Sequence, residues 1–340
     1  MRSVTGVVHT AFRMGDASSV GEARRHAAYL AEIAQLDETC AGRLAIIATE
    51  LGNNLLRHAH HGRLLLAAHG PEQLVEVISI DSGPGIQDLG RSLGDGFSTG
   101  GTPGTGLGAV KRLASEFDIH STVPGGTVVL ARVRAGGNPA TRPRAEPGMI
   151  CGGICLAAPG ERECGDAWAV AFDGDDATAI VADGLGHGPE AAVASQAALD
   201  VFLADPAVDL PSLLAGAHAA LRGTRGAAVA LMRANAANDT IRSAGAGNVL
   251  ARVISGTTDR SVITQHGTVG LQMRRVEEAS VGWPPHALLV IHSDGIEARW
   301  NGALLAPVLG RDPVLAAALL VQHHCRGRDD ATVVVLRRGD

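Results

Sequence analysis

Apolar residues recur along this chain with two periods, and the period changes where the elements should change. From Ser19 to Ala34 and from Thr39 to His60 they fall at helical spacing, with Leu44, Ile47, Leu51 and Leu55 on one stripe. Arg63 to Ala68 and Leu74 to Asp81 then alternate or run apolar as strands do, joined by the turn Gly70-Pro71. A glycine-rich stretch, Gly94 to Gly108, leads into a predicted helix from Leu107 to Glu116. Strands follow at Asp118 to Ser121 and Thr127 to Val133, around Pro124-Gly125-Gly126. This order predicts helices packed on one face of a mixed sheet, an α/β sandwich.

Ala135 to Gly148 (AGGNPATRPRAEPG) has no apolar period and is rich in Gly, Pro and Arg, as a linker should be. Beyond it, Ile150 to Ala157, Ala167 to Phe172 and Thr178 to Asp183 read as successive strands. Helices are predicted at Pro189 to Leu203 and Leu210 to Arg222. Strands return at Ala227 to Arg233, Thr240 to Ala244, Val249 to Ile254 and Ala287 to Ser293. A helix at Pro313 to His323 precedes a last strand, Ala331 to Arg337. Many strands around a helix pair predict two sheets flanked by helices. The expectation is thus an α/β (α+β) chain of two domains, residues 1–134 and 148–340, with a linker at 135–147.

Composition narrows the function classes. A chain of 340 residues with 46% apolar content supports two globular cores. Net charge is −6 and no Lys/Arg-rich run occurs, so no nucleic-acid partner is expected; Lys111 is the only lysine. No stretch of about 20 residues is apolar enough for a membrane span. Met1 to Met14 lacks the apolar core and cleavage site of a secretory signal, so a cytoplasmic location is expected. The five cysteines form no CxxC pair, as expected for reduced thiols.

Chemistry concentrates in two places. In the first half, Glu50 and Asn54 lie four apart and project from one helix face. A carboxylate there can serve as a general base, and an amide oxygen can ligate Mg²⁺ without adding charge beside phosphates. Asp81-Ser82-Gly83-Pro84-Gly85 ends an apolar strand, so an adenine amino group could donate to the carboxylate while the glycines admit the base. Gly100 to Gly108 opens the Leu107 helix and suits a triphosphate. The Gly-Lys-Ser/Thr ending of a P-loop is absent.

These elements in this order resemble the GHKL (Bergerat) ATPase fold shared by Hsp90, gyrase, histidine kinases and anti-sigma serine kinases, over residues 5–134. Glu50-Leu51-Gly52-Asn53-Asn54 with His58-Ala59 is similar to that family's N box, Asp81 to Gly85 to its adenine box, Gly104 to Gly108 to its lid, and Gly126-Thr127 to its final Gly-Thr. Phe97-Ser98-Thr99 with Gly106 to Leu113 looks most like RsbT-type switch kinases, which phosphorylate small STAS-domain partners. The resemblance implies Glu50 as base, Asn54 on Mg²⁺, and Asp81, Gly83, Gly85, Gly104, Gly106, Gly108 and Thr127 around ATP. His58 is expected to be structural, because no dimerising helical hairpin carries it. Lys111 is open between a phosphate contact and a solvated charge.

In the second half, Asp183-Gly184 and Asp294-Gly295 end apolar strands, while Asp329-Asp330 and Gly165-Asp166 begin two others. Converging carboxylates repel, hard divalent cations offset that repulsion, and two such ions can acidify a shared water for attack on a phosphoester. The set resembles the PPM family of metal-dependent Ser/Thr phosphatases, over residues 148–338. Ala182-Asp183-Gly184-Leu185-Gly186-His187-Gly188-Pro189 is similar to its SpoIIE/RsbX branch. The resemblance implies Asp183 as bridging ligand, a carbonyl from Gly184, and Asp294, Asp329 and Asp166 around two Mn²⁺ or Mg²⁺ ions. Asp330 stands where the family often has Asn. His187 is expected to shape its loop, and Gly245-Ala246-Gly247-Asn248 to be a structural turn.

Together the two sets predict a partner-switching enzyme. It would phosphorylate a Ser/Thr of an RsbS-, RsbR- or RsbV-like STAS protein with ATP and Mg²⁺ and dephosphorylate it at the metal site, with a sigma factor or downstream activator as a further partner. The alternative is a nucleotide-dependent binding module that regulates a phosphatase in the same chain.

Overall fold

The computed structural model describes residues 1–94, 106–136, 148–273 and 276–339. The chain divides into two compact units: His9–Arg144, and Met1–Val8 together with Ala145–Asp340. The expected first domain, 1–134, therefore loses its opening residues to the other unit. The reason is β1 (Arg2–Thr5), which pairs antiparallel with a strand 164 residues away, Thr5 opposite Ala169 and Arg2 opposite Phe172. The Gly6 N–H extends the ladder to Trp168 O at 2.8 Å.

The unit from His9 contains β2 (Thr10–Arg13), α1 (Ala17–Ile33), α2 (Glu38–His58), β3 (Arg63–His69), β4 (Leu74–Asp81), α3 (Leu89–Ser92), α4 (Leu107–Leu113), β5 (Glu116–Thr122) and β6 (Gly126–Arg134). Its five strands run in the order β2-β3-β4-β6-β5. Every neighbouring pair is antiparallel, where a mixed sheet was expected. The predicted stripe of α2 buries Leu44, Ile47, Leu51 and Leu55 on Leu64, Leu66, Val75, Val77 and Val129, beside the small-residue face of α1. Asp16 and Asp37 cap the two helices by accepting from Ser19 N and Cys40 N, each cap contributing about 1 kcal/mol. Helix α4 stops three residues before the predicted Glu116. Ala114 is extended, Ser115 N donates to Arg132 O at 2.8 Å, and Glu116 pairs with Arg132 at 2.9 Å and Arg134 at 3.2 Å, which carries the chain into β5.

The second unit continues with β7 (Met149–Leu156), β8 (Asp166–Asp173), β9 (Asp176–Gly184), α5 (Pro189–Ala204), α6 (Leu210–Ala220), β10 (Ala227–Asn235), β11 (Thr240–Ala246), β12 (Leu250–Ile254) and β13 (Asp259–Val262). After the short β14 (Gly267–Thr268) and β15 (Gln272–Met273) come β16 (Ala279–Gly282), β17 (Leu288–His292), a 3-10 turn at Gly302–Val308, α7 (Pro313–His324) and β18 (Ala331–Arg338). Two sheets, β1-β8-β9-β10-β11-β16 and β13-β12-β17-β18-β7, face each other. Trp168, Val170, Val181 and Met232 meet Val253, Leu289, Ile291 and Val334 between them. Outside the first sheet, Phe202 of α5 and Leu214 of α6 cover Ile180 and Val229. On the second, Val314 of α7 lies over β7 at Gly152. This is the predicted pair of sheets flanked by helices.

Candidate functional site

Strand β4, the central strand of its sheet, ends at Asp81, opposite Thr127 of β6. The following turn is held from both sides. Asp81 Oδ1 accepts from Gly83 N at 2.7 Å, and Ser82 N donates to His60 O just beyond α2. Ile86 N donates to Ser121 Oγ at 2.8 Å, and Ser121 Oγ meets Thr127 Oγ1 at 2.9 Å. Gly85 sits at φ +75°, and a Cβ there would lie 2.0 Å from Thr122 O, so the close approach of this turn to β5 requires glycine. Burial raises the Asp81 carboxyl above its usual range, against the lowering effect of the Gly83 and Thr127 amides. Asp81, Gly83, Gly85 and Thr127 are thus one constellation. Glu50 and Asn54 lie on α2, half-buried, one turn apart. Gly106 is the N-cap of α4, and Gly108 packs against the backbone at Leu93. Gly104 lies outside the described residues, as do Phe97, Ser98 and Thr99. His58 ends α2, exposed, and Lys111 is exposed on α4.

The second constellation gathers where three acidic turns meet. β8 starts at Asp166 directly across from Asp183 near the end of β9. Asp166 is buried; its Oδ2 accepts from Ser293 Oγ at 2.6 Å, and its Oδ1 has no hydrogen-bond partner among the described residues. Burial, then the facing Asp183, drive its carboxyl well above the usual range. Burial pushes Asp183 up to about 7, with Asp294 and Asp329 adding repulsion. Asp294 is raised as well, by burial and then by Asp329. Asp183 thus stands at the centre of the set, facing Asp166 across the ladder and feeling Asp294 and Asp329. Among the described residues, no three of these carboxylates converge on one point as metal ligands do. Gly295 lets two of the turns touch: a Cβ on it would lie 1.9 Å from Asp330 O.

Asp330 is a clamp. Its Oδ1 accepts from Ala158 N at 2.8 Å and its Oδ2 from Gly165 N at 2.9 Å, tying both ends of the β7–β8 loop to β18. Gly165 O in turn accepts from Gly184 N at 3.0 Å. His187 pairs with Glu161 at 2.7 Å in the loop before α5.

Three residues escaped the sequence reading. Ser293 orients Asp166 while its Oγ accepts from Thr332 N at 2.9 Å. His292, buried and pushed down to about 4 by burial, is a neutral ring that contacts Ser293 O through Nδ1 and accepts from Trp300 Nε1 through Nε2. Asn248, read as part of a structural turn, donates to Asp294 Oδ2 at 2.6 Å. Only adjacency to the Ser293-Asp294-Gly295 turn could have signalled the first two; nothing local signals Asn248.

Comparisons with known proteins follow this division. The family described as the histidine kinase-like ATPase domain matches residues 15–133, and the family of stage II sporulation protein E (SpoIIE) matches residues 173–339. The chain thus joins an ATPase domain of histidine kinase type to a SpoIIE-type PPM phosphatase domain. Serine/threonine-protein kinase RsbT of Bacillus subtilis (strain 168) is 38% identical over 92 residues, 26% of this chain and 68% of RsbT. A chain of the bacterial stressosome, described as a modular system adapted to control secondary messenger signaling, is 30% identical with a TM-score of 0.52, covering 56% of this chain and 99% of that one. RsbX in complex with magnesium shares the fold at 20% identity and a TM-score of 0.51, covering 56% of this chain and 96% of RsbX. The chain belongs to the RsbT family through its ATPase domain, and its two domains together are the make-up of a partner-switching regulator.

Proposed function

We propose that this chain is a cytoplasmic enzyme that phosphorylates a Ser/Thr of a STAS-domain switch protein with ATP and removes the same phosphoryl group by metal-assisted hydrolysis. The observation that carries the reading is the set of acidic turns at Asp166, Asp183, Asp294 and Asp329, where burial and neighbouring carboxylates raise Asp166, Asp183 and Asp294, in one chain with an RsbT-family domain.

In the ATPase domain, Asp81 would accept from the adenine amino group, with Gly83, Gly85 and Thr127 around the base. Gly104, Gly106 and Gly108 would cover the phosphates. Asn54 would hold Mg²⁺, and Glu50 would take the proton of the attacking hydroxyl. In the phosphatase domain, the donors are of the kind Mn²⁺ or Mg²⁺ takes: each candidate ligand atom is an oxygen, and Asp166 Oδ1 is buried with no hydrogen-bond partner among the described residues. Asp183, the Gly184 carbonyl, Asp294, Asp329 and Asp166 would hold the ions. Two divalent cations held there would supply an acidified water and neutralise phosphoryl charge. The chain's own task is to hold these carboxylates in place, Ser293 fixing Asp166 and Asn248 fixing Asp294. A sigma factor or downstream activator is the expected recipient of the switch.

Two assays test the reading. Calorimetry should show ATP binding that requires Mg²⁺ and falls at least about tenfold in Asp81→Asn, the order expected when one buried charge-assisted hydrogen bond is lost. A serine-phosphorylated STAS protein should be hydrolysed only with Mn²⁺ or Mg²⁺, and not by Asp294→Asn. Nucleotide-independent partner binding with no phosphoester hydrolysis would sink it.

A further inference from the structure

Two thiols that take no part in the chemistry above meet beside the acidic cluster. Cys155 is the penultimate residue of β7 and Cys164 lies two residues before Asp166, and their Sγ atoms are 3.3 Å apart without being bonded to each other. Cys164 Sγ also donates to Leu156 O at 3.4 Å. Both line a half-open cavity of about 580 Å³ between the start of β8 and α5, whose walls include Trp168, Val193 and Gln196. A small oxidant therefore has a route to sulfur atoms that are otherwise buried, at 2% and 6% exposure.

We infer that Cys155 and Cys164 are a reversible oxidation site whose disulfide loosens the phosphatase metal site. The inference rests on the phosphatase reading for its consequence, though not for the bond itself. With a hydroperoxide as oxidant, one thiol attacks the peroxide oxygen, the O–O bond breaks, and water leaves behind a sulfenic acid. The second thiol attacks that sulfur, the S–S bond forms, and a second water departs. Two thiols lose two electrons and one hydrogen peroxide gains them, giving a disulfide and two waters.

The consequence follows from what the loop holds. Closing the pair from 3.3 Å to a bond of about 2.05 Å must draw Cys164 toward β7, which is fixed by its ladder to β18. Gly165 and Asp166 follow Cys164 directly in the chain. Gly165 N is the donor to Asp330 Oδ2, Gly165 O accepts from Gly184 N, and Asp166 faces Asp183. A shift of about 1 Å at Cys164 thus disturbs the supports of two carboxylates at once, the kind of change that lowers metal affinity by about 10–100-fold. Oxidation would then leave phosphorylation intact and slow its reversal.

The test uses the full chain. It is treated with hydrogen peroxide, digested with trypsin and mapped by mass spectrometry; Arg162 lies between the two cysteines, so the bridge appears as a linked peptide pair. Fragmentation assigns the link to Cys155 rather than Cys151. We expect the pair, its loss under dithiothreitol, and Mn²⁺ affinity by calorimetry about tenfold weaker while it is present. Cys164→Ser and, separately, Cys155→Ala should keep their Mn²⁺ affinity through the same treatment. Oxidation of Cys40, Cys151 or Cys325 without the linked pair overturns the inference, as does a linked pair with unchanged Mn²⁺ affinity. Reduced protein that ignores Mn²⁺ would count against the phosphatase reading instead, and the peptide map alone would then decide the oxidation site.

Discussion

Asp183 shows what a single residue contributes and what it costs. Its carboxyl is pushed from an ordinary 3.8 to about 7 by burial and by Asp294 and Asp329. The folded protein thus holds this proton more tightly than the unfolded chain does. In metal-free protein, stability should fall as pH rises from about 4 to about 7, by at most roughly 4 kcal/mol from this group, and level off above. Asp166 and Asp294 are shifted in the same direction and add to the slope. Saturating Mn²⁺ should flatten it, because cation binding favours the charged form. Scanning calorimetry across that range checks the sign. Asp183→Asn should melt higher than wild type at pH 8 without metal and gain little from Mn²⁺; a lower melting point would contradict the assigned repulsion. These acids were legible in the sequence because each sits where an apolar strand meets a Gly or Asp turn. Ser293 and Asn248 were not, because their roles depend on side chains 127 and 46 residues away in sequence.

At the scale of elements, the long apolar strands and the striped helix α2 were readable because burial of one face imposes a period. The failures were at ends and edges. Strand β1 has only four residues and only Val4 half-buried, so no period betrays it; its pairing with β8 is a long-range fact. Deleting residues 1–5 should uncover the β8 edge and destabilise the phosphatase unit by about 1–3 kcal/mol, from several ladder hydrogen bonds at a modest net value each. Hydrogen exchange should show faster exchange at Val170 and Phe172, whose N–H groups face β1 in the alternation set by the Gly6–Trp168 bond, and unchanged exchange in β4 and β6. The turn at Gly85 makes an independent test. Gly85→Val puts a side chain into Thr122 O at positive φ, so ATP binding should be lost while phosphoester hydrolysis persists.

For the whole molecule, two opposed chemistries need separate sites. Phosphoryl transfer to a hydroxyl must exclude water, and hydrolysis must activate it. Joining both in one chain raises each domain's effective concentration at a shared substrate. The pairing was legible in the order of the motifs; that the chain first threads the phosphatase sheet and only then enters the ATPase domain was not. The shared substrate is tested most directly with labelled ATP. STAS-domain proteins from the same genome are incubated with γ-labelled ATP, Mg²⁺ and Mn²⁺ and either wild type, Glu50→Ala or Asp183→Ala. The account predicts no label with Glu50→Ala, and more label with Asp183→Ala than with wild type on the same protein. Equal labelling by all three, or nucleotide-dependent binding of the partner without any transfer, would contradict it.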